Sequence, residues 1–314
     1  MPLYYAVDIG GTKVEVAIGN ERGELLDKKR VPTPNLGHDD AVLDGVADLL
    51  RSLARPGDVA GIGIACPGPL DAAQGRVLNP SNLPGWHQLP ISEGLSKRLG
   101  GLPCYLENDA TAAGMGEWRW GAGAGTRNMV YITVSTGIGA GIIAENQVVR
   151  GVGDNAGELG HVVVDPAGRP CHCGNRGCLE TKASGTAIGR EGERRRGESP
   201  RLSATEGPVT SVDVFRAYEA GDPVAAEVVE GAAHWLAWAF GTLTNLFNPE
   251  RIVVGGGVSE NGETLLAPVR EKMVPYAMGD LLASVQLVEA KLGADVGVLG
   301  ALAVAVDRAG RVPG

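Results

Sequence analysis

The stretch Asp8-Ile9-Gly10-Gly11-Thr12-Lys13 stands between two apolar runs, Leu3-Tyr4-Tyr5-Ala6-Val7 before it and the alternating Val14, Val16 and Ile18 after it. The pattern predicts a strand ending at Asp8, a glycine turn and a second, half-buried strand. Glycines carry no side chain, so backbone N–H groups at Gly10 and Gly11 can approach anionic oxygens closely, as phosphate-binding turns require. Thr12 adds a hydroxyl donor. Asp8, at the strand end, suits a hydrated Mg2+ that bridges phosphate oxygens. The spacing from glycine to Lys13 is not that of a Walker loop, and no dinucleotide fingerprint is formed. Taken alone, an ordinary hairpin turn reads the same way.

The turn has an echo. Ser135-Thr136-Gly137-Ile138-Gly139 joins strand patterns at 129–134 and 138–144. Each turn is followed by further strand and helix patterns: Val42, Val46, Leu49, Leu50 and Leu53 at helical spacing, then a buried strand over 60–65, in the first half. In the second half the longest helix has both ends marked. Asp222 suits its cap, Pro223 its first turn, and Asn248-Pro249 its stop. Between them Val224, Val228, Ala232, Leu236, Phe240, Leu243 and Phe247 form one apolar face. Ile252-Val253-Val254 then runs into Gly255-Gly256-Gly257, a further close backbone approach suited to a nucleoside. The polar stretch from Arg194 to Gly207 reads as an exposed excursion. Two similar α/β lobes facing a cleft would place both turns on one ligand.

Composition narrows the class. A chain of 314 residues is long enough for two domains. Its net charge of −9 disfavours a binder of nucleic-acid backbones. No run approaches the roughly 18 consecutive apolar residues of a membrane span. The N-terminus shows neither a basic stretch nor the apolar core of a signal peptide. An odd count of 5 cysteines argues against a secreted disulfide framework. The expectation is a cytoplasmic protein without membrane partners.

Two further motifs carry chemistry. Glu107-Asn108-Asp109-Ala110 follows a short strand pattern over 103–106, where a carboxylate and an amide reach outward together. Asp109 suits a general base that takes a sugar hydroxyl's proton, with Asn108 fixing a neighbouring hydroxyl. The same residues also read as the N-cap of a following helix. The strongest local signal is Glu158-Leu159-Gly160-His161 followed by Cys171-His172-Cys173-Gly174-Asn175-Arg176-Gly177-Cys178. Three thiols and His161 make a closed Cys3His set that suits structural zinc. His172 competes as a ligand, although its place between two thiolates turns its side chain away from their common metal.

These motifs, in this order, resemble the ROK family (repressors, open reading frames, sugar kinases). The resemblance spans nearly the whole chain and includes the step from Glu180 to Ser184 after the last cysteine. It implies an α/β fold of two ribonuclease-H-like (actin/hexokinase-type) lobes around a cleft, with a zinc-binding loop at 161–178. The lobes are expected over 1–112 plus a C-terminal helix within 293–314, and over 113–292. ATP and Mg2+ are implied, with structural Zn2+ held by His161, Cys171, Cys173 and Cys178. Asp109 matches the family's catalytic base. Asn82, Asn108, Glu158, His161 and Glu180, with Asp109, match its sugar ligands. Asp8, Gly10, Gly11, Thr12, Lys13, Thr136, Gly137, Gly256 and Gly257 fall where the family lines its nucleotide site.

The implied activity is phosphorylation of a hexose at its 6-hydroxyl, glucose first. N-acetylmannosamine, N-acetylglucosamine or fructose kinases, and a non-catalytic sugar-binding regulator, are the alternatives. Family repressors read DNA through an added N-terminal domain, and with the phosphate turn beginning at residue 8 no such domain is expected here. A homodimer or larger homo-oligomer is implied.

Overall fold

The computed structural model describes residues 1–33, 40–55, 57–80 and 83–310. The chain forms two compact units, Met1–Gly125 with Val148–Gly157 and Lys291–Gly314, and Thr126–Gln147 with Glu158–Ala290.

In the first unit the strands are β1 (Leu3–Ile9), β2 (Lys13–Asn20), β3 (Leu25–Pro32), β4 (Val59–Cys66), the two-residue pair β5 (Leu70–Asp71) and β6 (Arg76–Val77), and β7 (Cys104–Asn108). Its helices are α1 (Asp40–Arg51), α2 (Ile91–Arg98) and α3 (Asp109–Trp120). The main sheet has the order β3-β2-β1-β4-β7. β2 is antiparallel to both neighbours, whereas β1, β4 and β7 run parallel.

Alternation along β1 divides the core. Leu3, Tyr5, Val7 and Ile9 join one apolar cluster with Val42, Val46 and Leu50 of α1. Tyr4 and Ala6 join another, with the C-terminal helix on the opposite face. Both faces are therefore covered, and β2 is buried along nearly its whole length rather than half-buried as its pattern suggests. The face under the C-terminal helix is built from Ala6, Ala17, Gly63 and Ala65 because the helix backbone lies on it: a Cβ on Gly63 would strike the Ala301 carbonyl.

The second unit repeats the topology. Its strands are β8 (Met129–Val134), β9 (Ile138–Ala144), β10 (Gln147–Val148), β11 (Arg251–Gly255) and β12 (Gln286–Glu289), in the order β10-β9-β8-β11-β12. β8 pairs antiparallel with β9 and parallel with β11, which is parallel to β12. This order and mixture of directions is the ribonuclease-H-like sheet, present twice.

The helices of the second unit are α4 (Glu180–Ala183), α5 (Gly185–Arg194), α6 (Pro200–Ser203), α7 (Ser211–Glu219), α8 (Pro223–Phe247), α9 (Glu263–Lys272) and α10 (Gly279–Ser284). The Asp222 carboxylate accepts from the Val224 and Ala225 N–H groups at the start of α8, and Asn248 ends it in the left-handed conformation. Phe247, placed by its spacing on the apolar face, is instead 38% exposed in the last turn, where the helix overshoots the core. The polar stretch after α5 is not a simple excursion. Ser199 caps α6, Leu202 is buried, and the Ser199 hydroxyl donates to Asp222 at 2.6 Å, joining two helix caps.

The chain closes on the first unit with α11 (Val296–Ala309). The first unit extends to Gly125, beyond the expected limit at 112, because α3 belongs to it entirely. Gly116 of α3 faces Gly300 of α11 so closely that a Cβ there would lie 3.2 Å from the Gly300 Cα. The fully buried Glu117 accepts from the Lys291 and Leu292 N–H groups, each at 2.8 Å, fixing the returning chain.

Candidate active site

In the first unit the candidate residues gather at the carboxyl ends of β1 and β7. Gly10 donates its N–H to the Lys13 carbonyl at 2.8 Å, closing the turn, and the Thr33 hydroxyl donates to the Gly10 carbonyl at 2.6 Å. Thr12 is exposed at the tip. Lys13 leans along the strand toward the buried Glu15, whose carboxylate also accepts two bonds from Arg30, at 2.9 and 2.7 Å. Sequence reading had not marked Glu15; its signal is a carboxylate inside an otherwise apolar run.

Asn108 and Asp109 divide the two roles that the motif allows. The Asn108 side chain is the cap, its Oδ1 accepting from the N–H groups of Ala110 at 2.9 Å and Thr111 at 3.2 Å. Its Nδ2 is the end left to donate outward. Asp109 is the first residue of α3 and is exposed. It stands close enough to Asp8 to act on it electrostatically: burial first, then the charge of Asp109, pushes the Asp8 carboxyl up to about 6. Gly297, near the start of α11, lies against the Asp8 carboxylate so tightly that a Cβ would strike Oδ2. That residue was also missed, since nothing local in the sequence ties residue 297 to residue 8. Asn82 lies outside the described residues.

A cavity of about 210 Å3 in this unit, lined by Gly75, Ser92, Cys104 and Arg308 among others, touches β7 at Cys104–Leu106 and includes neither Asn108 nor Asp109.

In the second unit both glycine segments come together. The Val258 N–H donates to the Val134 carbonyl at 2.9 Å, so Gly256 and Gly257 lie beside the turn that carries Thr136 and Gly137. Gly256 has φ of +87°, and a Cβ there would lie 2.5 Å from the Val134 carbonyl oxygen. Only glycine meets both demands. The turn is held from below by α5, whose Gly185 N–H donates to the Ser135 carbonyl at 2.7 Å.

The second group of candidates meets at β9. A short turn over Leu159–His161 is pressed against this strand, because Gly160 lets the Ile138 carbonyl occupy the space a Cβ would need. Glu180, at the start of α4, accepts from the Ile138 N–H at 3.0 Å. His161, Cys171, Cys173 and Cys178 place their ligand atoms within 4.8 Å of one another. The His161 Nδ1–Cys171 and Cys173–Cys178 Sγ separations are both 3.6 Å. Tetrahedral zinc with Zn–S near 2.3 Å and Zn–N near 2.0–2.1 Å needs ligand–ligand edges of roughly 3.5–3.8 Å, so the donor set fits.

His161 presents Nδ1 to this cluster and Nε2 toward Glu158, 3.9 Å from its Oε2. Burial, reinforced by the Cys173 thiol, pushes the Cys178 thiol up to about 12, whereas the backbone N–H of Asn175 draws that of Cys173 down. His172 does not turn wholly away. Its Nδ1 lies 3.9 Å from Cys171 Sγ and 3.4 Å from Glu180 Oε1.

A duplicated ribonuclease-H-like sheet with a glycine turn after its first strand in each copy, and a Cys3His loop in the second, defines a class of two-unit α/β proteins that the sequence motifs had already suggested. The chain belongs to the ROK family, whose model matches residues 4–308. It is 38% identical to a glucokinase of Halalkalibacterium halodurans over 95% of this chain and 93% of that protein. Among solved structures it is similar to a ROK hexokinase from Thermus thermophilus, with 34% identity, a TM-score of 0.84 and 98% of each chain covered. A ROK family glucokinase from Streptomyces griseus in complex with glucose and AMPPNP matches at 34% identity and TM-score 0.82, over 97% of this chain and 99% of that one. Among the described residues, no helix is long and apolar enough to cross a membrane.

Proposed function

We propose that this chain transfers the γ-phosphoryl group of ATP to the 6-hydroxyl of a hexose, with glucose as the preferred acceptor. The observation that carries this reading is the likeness, over nearly the full length of both chains, to the Streptomyces griseus glucokinase described with glucose and AMPPNP. The chemistry of the residues supports it.

Asp109 is read as the general base. Its exposed carboxylate accepts the proton of the 6-hydroxyl as that oxygen attacks the γ-phosphorus, and the bond to the departing ADP oxygen breaks. It is the first residue of α3, at the helix's N-terminal end. Asn108, anchored through Oδ1, donates from Nδ2 to a neighbouring hydroxyl. Glu158, His161 and Glu180 are read as the remaining ligands of the sugar, together with Asn82. The N–H groups of Gly10, Gly11 and Thr12, the side chain of Lys13, and the turns at Thr136-Gly137 and Gly256-Gly257 are read as the nucleotide's contacts. Bound Mg2+, for which Asp8 is the candidate holder, would neutralise charge on the phosphates. Zinc on His161 and the three thiolates would fix the loop and the orientation of the His161 ring.

The reading places the protein in the cytoplasm, where ATP is available, as a homodimer or larger homo-oligomer; light scattering on the eluted protein measures the latter. The activity is tested by a coupled ADP-release assay with Mg2+-ATP against glucose, N-acetylmannosamine, N-acetylglucosamine and fructose. Glucose is expected to give the highest kcat/KM. A higher value for N-acetylmannosamine would move the protein to that branch, and no phosphate ester from any hexose would overturn the reading.

A further inference from the structure

Gly137 falls in the turn read as a nucleotide contact, yet its nearest neighbour is a residue read as a sugar ligand. A Cβ built on Gly137 would land on Glu180 Oε2. That same oxygen accepts the N–H of the next residue, Ile138, at 3.0 Å. The other carboxylate oxygen, Oε1, faces the exposed His172 at 3.4 Å and is the one left to accept from a sugar hydroxyl. Ile138 also supports the second group of sugar candidates, because its carbonyl fills the space beside Gly160 in the Glu158–His161 turn.

We propose that Gly137 is a positioning residue for the sugar: by having no side chain it lets Glu180 seat one carboxylate oxygen on the Ile138 N–H and present the other to the hexose. This rests on the reading of Glu180 as a sugar ligand given above. The physical case is one of order. A glutamate side chain has three rotatable bonds, and freezing them costs conformational entropy when nothing else has done so. The hydrogen bond from Ile138 to a charged acceptor does it before the sugar arrives. Bond and vacancy are inseparable, since the oxygen that takes the N–H lies where the methyl group of an alanine would be. The turn thereby serves phosphate on one side and a hexose hydroxyl on the other.

Gly137→Ala is the test. Its backbone is not in the left-handed region, and the atom a Cβ meets first is the end of a flexible side chain, so the substitution is accommodated by moving Glu180. The expected result is a rise in hexose KM on the order of tenfold, the scale of losing one hydrogen bond to a charged group. In a Glu180→Ala background, where the carboxylate is gone and the space is open, Gly137→Ala should leave hexose KM unchanged. Calorimetric titration with glucose should show the same non-additive cycle without turnover. If Gly137→Ala leaves hexose KM at the wild-type value, or if its effect adds fully to that of Glu180→Ala, the inference is wrong. A wild-type protein that neither binds nor phosphorylates any hexose would overturn the functional reading, and this inference with it.

Discussion

Arg150 donates from Nε to Glu107 Oε2 at 2.7 Å, and so ties the segment leading toward Glu158 to the residue two positions before Asp109. Glu107 is fully buried. Burial raises its carboxyl above the usual range, and Arg150 opposes the rise. Its other oxygen accepts from the Asn108 N–H at 3.3 Å. Arg150 also reaches Asp307 of α11, 3.8 Å away, so β7, α11 and the 148–157 segment share one ionic network.

Removing one partner strands the other. Arg150→Met should destabilise the protein by about 3–5 kcal/mol, because it leaves a buried carboxylate uncompensated, and Glu107→Gln added to it should recover much of the loss. Urea unfolding of the two single variants and the double variant gives the three values. Equal destabilisation by the double and the Arg150 single variant would show that the pair is not a unit.

The burial of Asp8, reinforced by the charge of Asp109, predicts a pH effect. With its carboxyl raised from 3.8 to about 6, folded Asp8 holds a proton that the unfolded chain has released. Its stabilising contribution is therefore complete below the unfolded value and is lost as pH rises through about 6. Asp8→Asn removes this dependence. Relative to wild type, the variant should gain about 2 kcal/mol between pH 4.5 and 7.5, measured without metal or nucleotide. A constant difference across that range would show that neither burial nor Asp109 raises the Asp8 carboxyl.

Asp109→Asn separates chemistry from binding. The amide keeps the shape of the side chain at the start of α3, and the helix cap belongs to Asn108, so the fold and hexose affinity should survive. On the reading of Asp109 as general base, its loss should lower kcat by roughly 10²–10⁴. Calorimetry with glucose and single-turnover kinetics read the two quantities independently. A fall in glucose affinity matching the fall in rate would make Asp109 a binding residue instead.

The parts of this molecule that sequence reveals are those whose determinants lie close together along the chain. Asp222, Pro223 and Asn248 mark the ends of α8 by local chemistry alone, and the turn between β8 and β9 is bounded by its own strands. The Cys3His set is legible because one loop contains all its ligands. Other features depend on partners remote in sequence. The cations around Glu15 come partly from β3 across the sheet, and the seat of Asp8 is completed by Gly297. Alternation in β2 shows that one face is apolar but not that a C-terminal helix covers the other. Small residues on that face, Ala17 among them, look uninformative until the helix backbone is seen lying on the sheet.

The loop with the Cys3His set couples three measurable quantities. His161 turns Nδ1 to the thiols and Nε2 toward Glu158, so the metal-facing and outward-facing sides of one ring are already separated. A ring held at one nitrogen by a metal has its other nitrogen aimed, and the aim fails when the metal leaves. Cys178 is fully buried and lies 3.6 Å from Cys173, another of the four ligands. Cys178→Ser replaces a thiolate by a poor zinc ligand at that point. Where zinc occupies this set its affinity is also folding free energy, so three quantities should fall together: bound zinc, melting temperature and glucose affinity. Metal analysis, thermal unfolding and calorimetry measure them on one preparation, and chelation of the wild-type protein should reproduce all three changes. A zinc-free Cys178→Ser protein with wild-type glucose affinity would separate the metal cluster from the sugar site. It would leave His161 oriented by the seating of its turn on Ile138 and by the edge contact of its ring with His172.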